Sequence, residues 1–176
     1  MKCNIAIDTC AIIHLMYIQR FYLLKELSYP VITTIYVQLE FEKGHPDSRD
    51  YFLNLVGSGE IYPYPLEIDD LVEMANIPKS KQASDAELSC FVVAKRLGGK
   101  AMTDDKNAID YIQRYVSMPP GSVITLFDIL FEGYLTYWLF DHDLRSIQAT
   151  LSVKNFRFQY EDLAHEYARR RWMRGE

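Results

Sequence analysis

"SDAELSCFVVAKRLGGKAMTDDKNA", Ser84 to Ala108, carries the pattern that decides the fold. Ser84 with Glu87 three residues on is the signature of a capping box at a helix N-terminus. The run to Leu97 has helical character and stops at Gly98-Gly99, where a glycine can take the left-handed conformation that closes a helix. "KAMTD" then reads as a short apolar strand, and "DKNAIDYIQRY" as the next helix. A short apolar strand between two helices is buried on both faces, as in a parallel sheet covered by helices.

The same alternation extends in both directions. "CNIAI" reads as a strand, and Thr9 as the N-cap of the helix "TCAIIHLMYIQ", with "FYLLKEL" helical after it. "YPVITT" reads as a second strand and "IYVQLEFEKG" as a helix stopped by Gly44 and Pro46. "DSRDYFLNLVGSG" follows as a helix capped near Asp47. "EIYPYP" is a turn or an edge strand, because two prolines remove ladder donors. "EIDDLVEMANI" is helical, and "SVITLFD" is a last strand after Pro119-Pro120-Gly121. The expected fold is α/β: a three-layer α/β/α sandwich with a short parallel sheet over residues 1–126. A helical extension is expected over residues 127–176, with "LFDILFEGYLTYWLFDHDL" and "NFRFQYEDLAHEYARRRWMRG" as helices joined by "RSIQATLSVK".

The 176 residues are 49% apolar and 14% aromatic, enough to bury the core of one domain. The net charge of -5 gives no overall basic signal. It does not exclude nucleic acid, because a bound cation can supply local positive charge. The three cysteines are odd in number and dispersed, without a C-x-x-C, and are expected to be reduced core thiols. No signal-peptide pattern opens the chain, and "ITLFDILFEGYLTYWLF" is broken by Asp128, Glu132 and Gly133. A soluble cytoplasmic protein with no membrane partner is expected.

Carboxylates fall where such a sheet binds ligands, beyond the carboxyl ends of its strands. Asp8 ends the first strand; Asp104 and Asp105 end "KAMT"; Asp85 opens the helix leading into that strand; Glu40 borders the stripe of Val37 and Phe41. Each has a plain structural reading. Glu87 completes a cap, Asp85 complements a helix dipole, Asp104 caps the next helix, and Glu40 is a solvated glutamate. Asp8 resists one, because it ends an apolar strand with no basic residue near it in sequence. Converging acids raise one another's pKa unless a cation binds, and oxygen donors suit Mg²⁺ or Mn²⁺.

"IAIDTCAIIHL", "VQLE" and "SDAELSCFVVAKRLGGKAMTDDKNA" together resemble the PIN-domain family, over about residues 3–126. This is a small α/β/α nuclease fold found in toxin–antitoxin ribonucleases. Its acid followed by Ser, Thr or Asn is matched by Asp8-Thr9, and its helix glutamate by Glu40, with Glu42 as the alternative. Its helix-opening acid is matched by Asp85, and its T-x-D by Thr103-Asp104-Asp105. The resemblance implies a metal-dependent endoribonuclease. Asp8, Asp85 and Asp105 would hold Mg²⁺ or Mn²⁺, with Asp104 sharing or replacing the role of Asp105. Glu40 would act on the attacking water, and Thr9, Thr103 and Glu87 would support the carboxylates from behind. A small antitoxin protein is an implied partner.

Lys81 and Lys106 flank the acids and are candidates for RNA contact, as are Arg170 and Arg171 of the tail. From Lys154 to Glu176 six Lys or Arg stand against four Asp or Glu, a mildly basic stretch in an acidic chain. A helix C-terminus that favours cations is the plain alternative. A haloacid-dehalogenase-type phosphatase is disfavoured, since it needs a second acid where Cys10 stands. A receiver domain is disfavoured, since "VITLFD" brings no lysine. A PIN-like module that binds RNA or a partner without cutting remains the rival. His14, in an apolar helix, reads as a core histidine. The aromatic run from Phe127 to Phe140 is too apolar for a simple surface helix; either a homodimer or the last helix of the same chain covers it.

Overall fold

Ile5, Ala6 and Ile7 have no exposed surface at all, the burial of a strand covered on both faces. In the computed structural model, which describes residues 3–154 and 162–175, they form β1 (Ile5–Ile7). The other strands are β2 (Val31–Thr33), β3 (Tyr62–Pro63), β4 (Lys100–Met102) and β5 (Val123–Ile124). All pairings are parallel, and the sheet order is β3-β2-β1-β4-β5. β3, with Pro63 inside it, lies at the margin, where a missing ladder donor costs least.

Between the strands run α1 (Thr9–Ile18), α2 (Tyr22–Glu26), α3 (Ile35–Lys43), α4 (Pro46–Gly57), α5 (Ile68–Asn76), α6 (Asp85–Arg96) and α7 (Lys106–Ile112). α8 (Leu126–Leu135), α9 (Asp141–Val153) and α10 (Leu163–Met173) follow the sheet. α6 packs on β1 and β4 and touches α3, α5 and α7; α1 touches α3, α4, α8 and α9. This α/β architecture is compatible with three layers.

The order fixes a switch point. From β1 the chain builds outward to β2 and β3, then returns to the other side of β1 for β4 and β5. The crevice between the carboxyl ends of β1 and β4 is therefore where an open parallel sheet binds ligands. Gly98-Gly99 delivers β4 to that place. Gly98 has φ +60, closing α6, and a Cβ on Gly99 would lie 2.6 Å from the Asn4 carbonyl oxygen beside β1. Only glycine allows that approach.

Several local expectations are corrected. Asp8, not Thr9, is the N-cap of α1: its side chain accepts from the Ala11 N–H at 2.9 Å. His45, not Asp47, caps α4. The strand expected over "SVITLFD" ends at Ile124, because Thr125 already starts α8. Residues 136–140 break what was expected to be one helix, with Tyr137 at φ 64 and the Trp138 and Leu139 N–H groups turned back onto the Gly133 carbonyl. "RSIQATLSVK", expected as a linker, lies largely inside α9. The expected helix from Asn155 begins outside the described residues; its described part is α10. Cys3 is exposed and not in the core, while Cys10 is half-buried and Cys90 buried.

α10 folds back on α8. Tyr167 is fully buried among Phe127, Phe131 and Tyr134, with ring centroids 4.9, 5.0 and 5.8 Å away. Its hydroxyl donates to the Phe127 carbonyl at 3.0 Å. Of the aromatic run that prompted the expectation of a dimer, Phe127, Phe131 and Tyr134 are thus covered by α10, whereas Tyr137, Trp138 and Phe140 stay exposed. Among the described residues no helix is long and apolar enough to cross a membrane.

Candidate functional site: carboxylates at the switch point

β1 ends in Asp8, and burial there is nearly complete. Its carboxylate receives the Ala11 N–H and the Cys10 thiol, at 3.1 and 3.2 Å from its two oxygens. Burial pushes its pKa up to about 7, against the lowering effect of the Thr103, Ala11 and Cys10 hydrogen bonds, and the Glu87 charge raises it further. Thr103, at the end of β4, is buried and also accepts the Asp105 N–H at 3.2 Å.

Glu87 is the common neighbour of the other acids. Its Oε2 accepts the Ser84 N–H at 2.7 Å, completing the capping box. Burial raises its pKa, and the charges of Asp105 and Glu40 add to the effect. Glu40, on α3, accepts the Thr9 hydroxyl at 2.5 Å. Asp105 caps α7 through Oδ1, which accepts from Asn107 and Ala108. Four elements thus bring Asp8, Glu40, Glu87 and Asp105 into one electrostatic neighbourhood. Among the described residues none of the four has an ion-pair partner. Glu40, Glu87 and Asp105 each keep one oxygen without a hydrogen-bond partner there.

The remaining candidates stand apart from this group. Asp85 is exposed in the first turn of α6. Asp104 has both oxygens engaged: Oδ1 accepts the Leu126 N–H at 2.7 Å, and Oδ2 lies 2.7 Å from His14 Nδ1. It joins β4 to α8 and α1, and His14 is its partner and not a solely apolar core residue. Glu42 is exposed and accepts from Gln38 at 3.0 Å. Lys81 and Lys106 are exposed, Lys106 next to Asp105 along the chain. Arg170 bonds Glu166 at 2.8 Å and lies over Phe127, while Arg171 bonds the Tyr137 hydroxyl and lies over its ring. Both tail arginines therefore pack on their own chain.

Two residues stand closer to the acids than the sequence indicated. Glu87 was read as a cap and as a support behind the carboxylates, yet a cap uses one carboxylate oxygen and leaves the other; Cys10 carried no functional signal. Cys10 lies between Asp8 and Asp104, accepting the Asp104 N–H at 3.3 Å. Burial raises its pKa, and the charges of Asp8 and Asp104 raise it further, so the thiol stays protonated as a donor to Asp8.

All the oxygen donors are of the kind that suits a hard divalent cation. Among the described residues, however, no three His, Cys, Asp or Glu side chains stand in positions to hold one ion together. No family model matches the chain, and no curated protein matches it.

Proposed function

We propose that the chain is a metal-dependent endoribonuclease of the PIN-domain kind. One observation carries the proposal: four carboxylates from four elements stand within electrostatic reach of one another at the sheet's switch point, and among the described residues none of them has an ion-pair partner. Such a cluster is costly by itself and becomes favourable around a divalent ion. Mg²⁺ or Mn²⁺ would be held by Asp8, Glu87 and Asp105 through carboxylate oxygens. When bound, the ion supplies a water of lowered pKa and stabilises charge on the leaving oxygen of a phosphodiester.

The chain's own residues do the rest. The Thr9 hydroxyl fixes one oxygen of Glu40, so that the other is aimed to accept a proton from an attacking water. Thr103 and the Cys10 thiol hold Asp8 against rotation. Glu87 keeps Oε2 on the Ser84 N–H and offers Oε1. Among the described residues no lysine or arginine pairs with these carboxylates, so the ion would supply the positive charge that a phosphate needs there. A toxin role with a small antitoxin partner belongs to the same reading, and so does a cytoplasmic place of action.

The alternative is a PIN-like module that binds RNA or a partner without cutting. It is favoured by one observation, that no three ligating side chains are already positioned for an ion. Purified protein incubated with mixed cellular RNA in Mn²⁺, in Mg²⁺ and with EDTA separates the two. Fragments with 5′-phosphate ends that appear only with metal, and not with Asp8→Asn, are expected. Intact RNA in every lane would leave the binding module.

A further inference from the structure

Cys10 and His14 stand four residues apart, which places them one above the other on the same face of α1. Both reach the turn that follows β4. The Cys10 sulfur accepts the Asp104 N–H at 3.3 Å, and His14 Nδ1 lies 2.7 Å from Asp104 Oδ2. From the other side the Leu126 N–H, in the first turn of α8, donates to Asp104 Oδ1 at 2.7 Å. Asp104 is therefore tied at its amide and at both carboxylate oxygens, to two helices far apart in sequence. Its side chain is 3% exposed, so these contacts and not solvent hold it. The first N–H groups of α8 have no acceptor within their own helix, and the positive end of the helix dipole favours a carboxylate there.

The turn so held connects two of the acids. Thr103 precedes Asp104 and Asp105 follows it. The Thr103 hydroxyl accepts the Asp105 N–H at 3.2 Å, and its hydrogen bond to Asp8 lowers that carboxylate's pKa against the effect of burial. Asp105 turns Oδ1 onto the start of α7 and keeps its other oxygen without a hydrogen-bond partner among the described residues. Asp104, by contrast, is buried with both oxygens engaged. Groups hydrogen-bonded behind a ligand fix its orientation and tune its affinity.

We infer that Asp104 and His14 are positioning residues: His14 from α1 and the Leu126 N–H from α8 clamp Asp104, and the clamp holds Asp105 in place for the ion. The inference rests on the nuclease reading for the ion itself. It goes beyond that reading in setting Asp104 outside the ligands and in making the first turn of α8, where the C-terminal helices begin, a support of the site.

The test reads metal binding apart from cutting. Mn²⁺ is titrated by calorimetry into the full chain and its variants, each checked by circular dichroism to be folded at the assay temperature. His14→Leu keeps apolar volume and loses the ring nitrogen. It is expected to weaken Mn²⁺ affinity by about tenfold, the lower end of the range for groups that orient a ligand. His14→Asn, whose amide nitrogen stands near the place of Nδ1, should recover most of that loss. Asp104→Ala should act like His14→Leu. Asp104→Asn keeps an oxygen for the Leu126 N–H and a nitrogen for the imidazole, and should retain most of the affinity, whereas Asp105→Asn should lose more than any of these. Ile61→Val, a core truncation just before β3, lowers stability without touching the turn and should bind Mn²⁺ like the parent. In metal-free protein the Asp105 and Leu126 amides should exchange hydrogen faster in His14→Leu than in the parent. Parent affinity in His14→Leu and Asp104→Ala, or unchanged exchange, would overturn the inference and spare the nuclease reading. An Asp104→Asn loss equal to that of Asp105→Asn would overturn it by making Asp104 a ligand. A His14→Leu loss matched by Ile61→Val would overturn it by reducing the clamp to stability alone. A parent that binds no Mn²⁺ would overturn the nuclease reading itself, and the inference with it.

Discussion

The Thr9 hydroxyl and the Glu40 carboxylate meet at 2.5 Å, joining the first turn of α1 to α3. The two residues are adjacent neither in sequence nor in the sheet. The bond holds Glu40 at the edge of the acidic cluster and leaves one of its oxygens without a partner among the described residues. Removing the donor should therefore disturb chemistry more than folding. Thr9→Val is expected to lower metal-dependent RNA cleavage by about 10- to 100-fold, the usual effect of losing a group that orients a ligand or base. Its unfolding free energy should fall by only about 1 kcal/mol, the net value of one hydrogen bond. Loss of cleavage in step with loss of the folded state would show that the bond serves stability alone.

Asp8 makes the fold's stability depend on pH. Its folded pKa of about 7 lies above the ordinary 3.8. Between those values the folded state holds a proton that the unfolded state has released, so stability falls as pH rises through that window. Above about pH 7 both states are ionised and the whole penalty remains, on the order of 4 kcal/mol for a shift of this size. Asp8→Asn should remove this part of the slope. Urea unfolding at pH 5 and pH 8 is expected to show the variant gaining on the parent at the higher pH. Mg²⁺ at pH 8 should stabilise the parent and leave the variant unchanged. A parent-minus-variant difference that does not move with pH would remove the burial argument.

The two acids at the start of α6 should separate by function. Glu87 is half-buried, and the charges of Asp8, Asp105 and Glu40 reach it; Asp85 is exposed. Glu87→Gln keeps a carbonyl oxygen to accept the Ser84 N–H, so the cap survives while the charge is lost. It is expected to abolish most cleavage with little change in melting temperature. Asp85→Asn should leave cleavage within about twofold, as for an ordinary surface change. The opposite result would return the role to Asp85, the residue that the resemblance to PIN domains matched to the helix-opening acid.

Much of this was legible in the sequence because the signals are local. Ser84-x-x-Glu87 and Gly98-Gly99 mark the two ends of α6; the apolar triplet Ile5–Ile7 followed by Asp8 marks the end of β1, and Ala101-Met102 followed by Thr103-Asp104 the end of β4. Glu40 over Glu42 followed from the helical stripe through Val37 and Phe41. What was not legible depends on contacts between distant segments. The Asp104–His14 pair cannot be seen from either residue's neighbours, and neither can the Cys10 thiol against Asp8. The break between α8 and α9 was hidden because Tyr137, and not a glycine or proline, takes the left-handed conformation at φ 64. The aromatic run continues across it, so hydrophobicity alone reads as one helix.

The cover of α8 by α10 can be tested at one residue. Tyr167 has no exposed surface and is surrounded by three rings of α8, so its loss removes the contact that seats the last helix. Tyr167→Ala should cost about 3–5 kcal/mol, as for other large aromatic truncations in a core. Tyr167→Phe keeps the ring and loses only the bond to the Phe127 carbonyl, so it should cost about 1 kcal/mol. Urea unfolding gives both numbers. Sedimentation adds an independent reading. Tyr167→Ala uncovers Phe127, Phe131 and Tyr134, and exposed apolar patches of that kind self-associate. The alanine variant is expected to form larger species at micromolar concentration, and the phenylalanine variant to sediment like the parent. If Tyr167→Ala costs less than Tyr167→Phe should, or sediments unchanged, α10 does not hold the face of α8, and that face is open to a second copy of the chain.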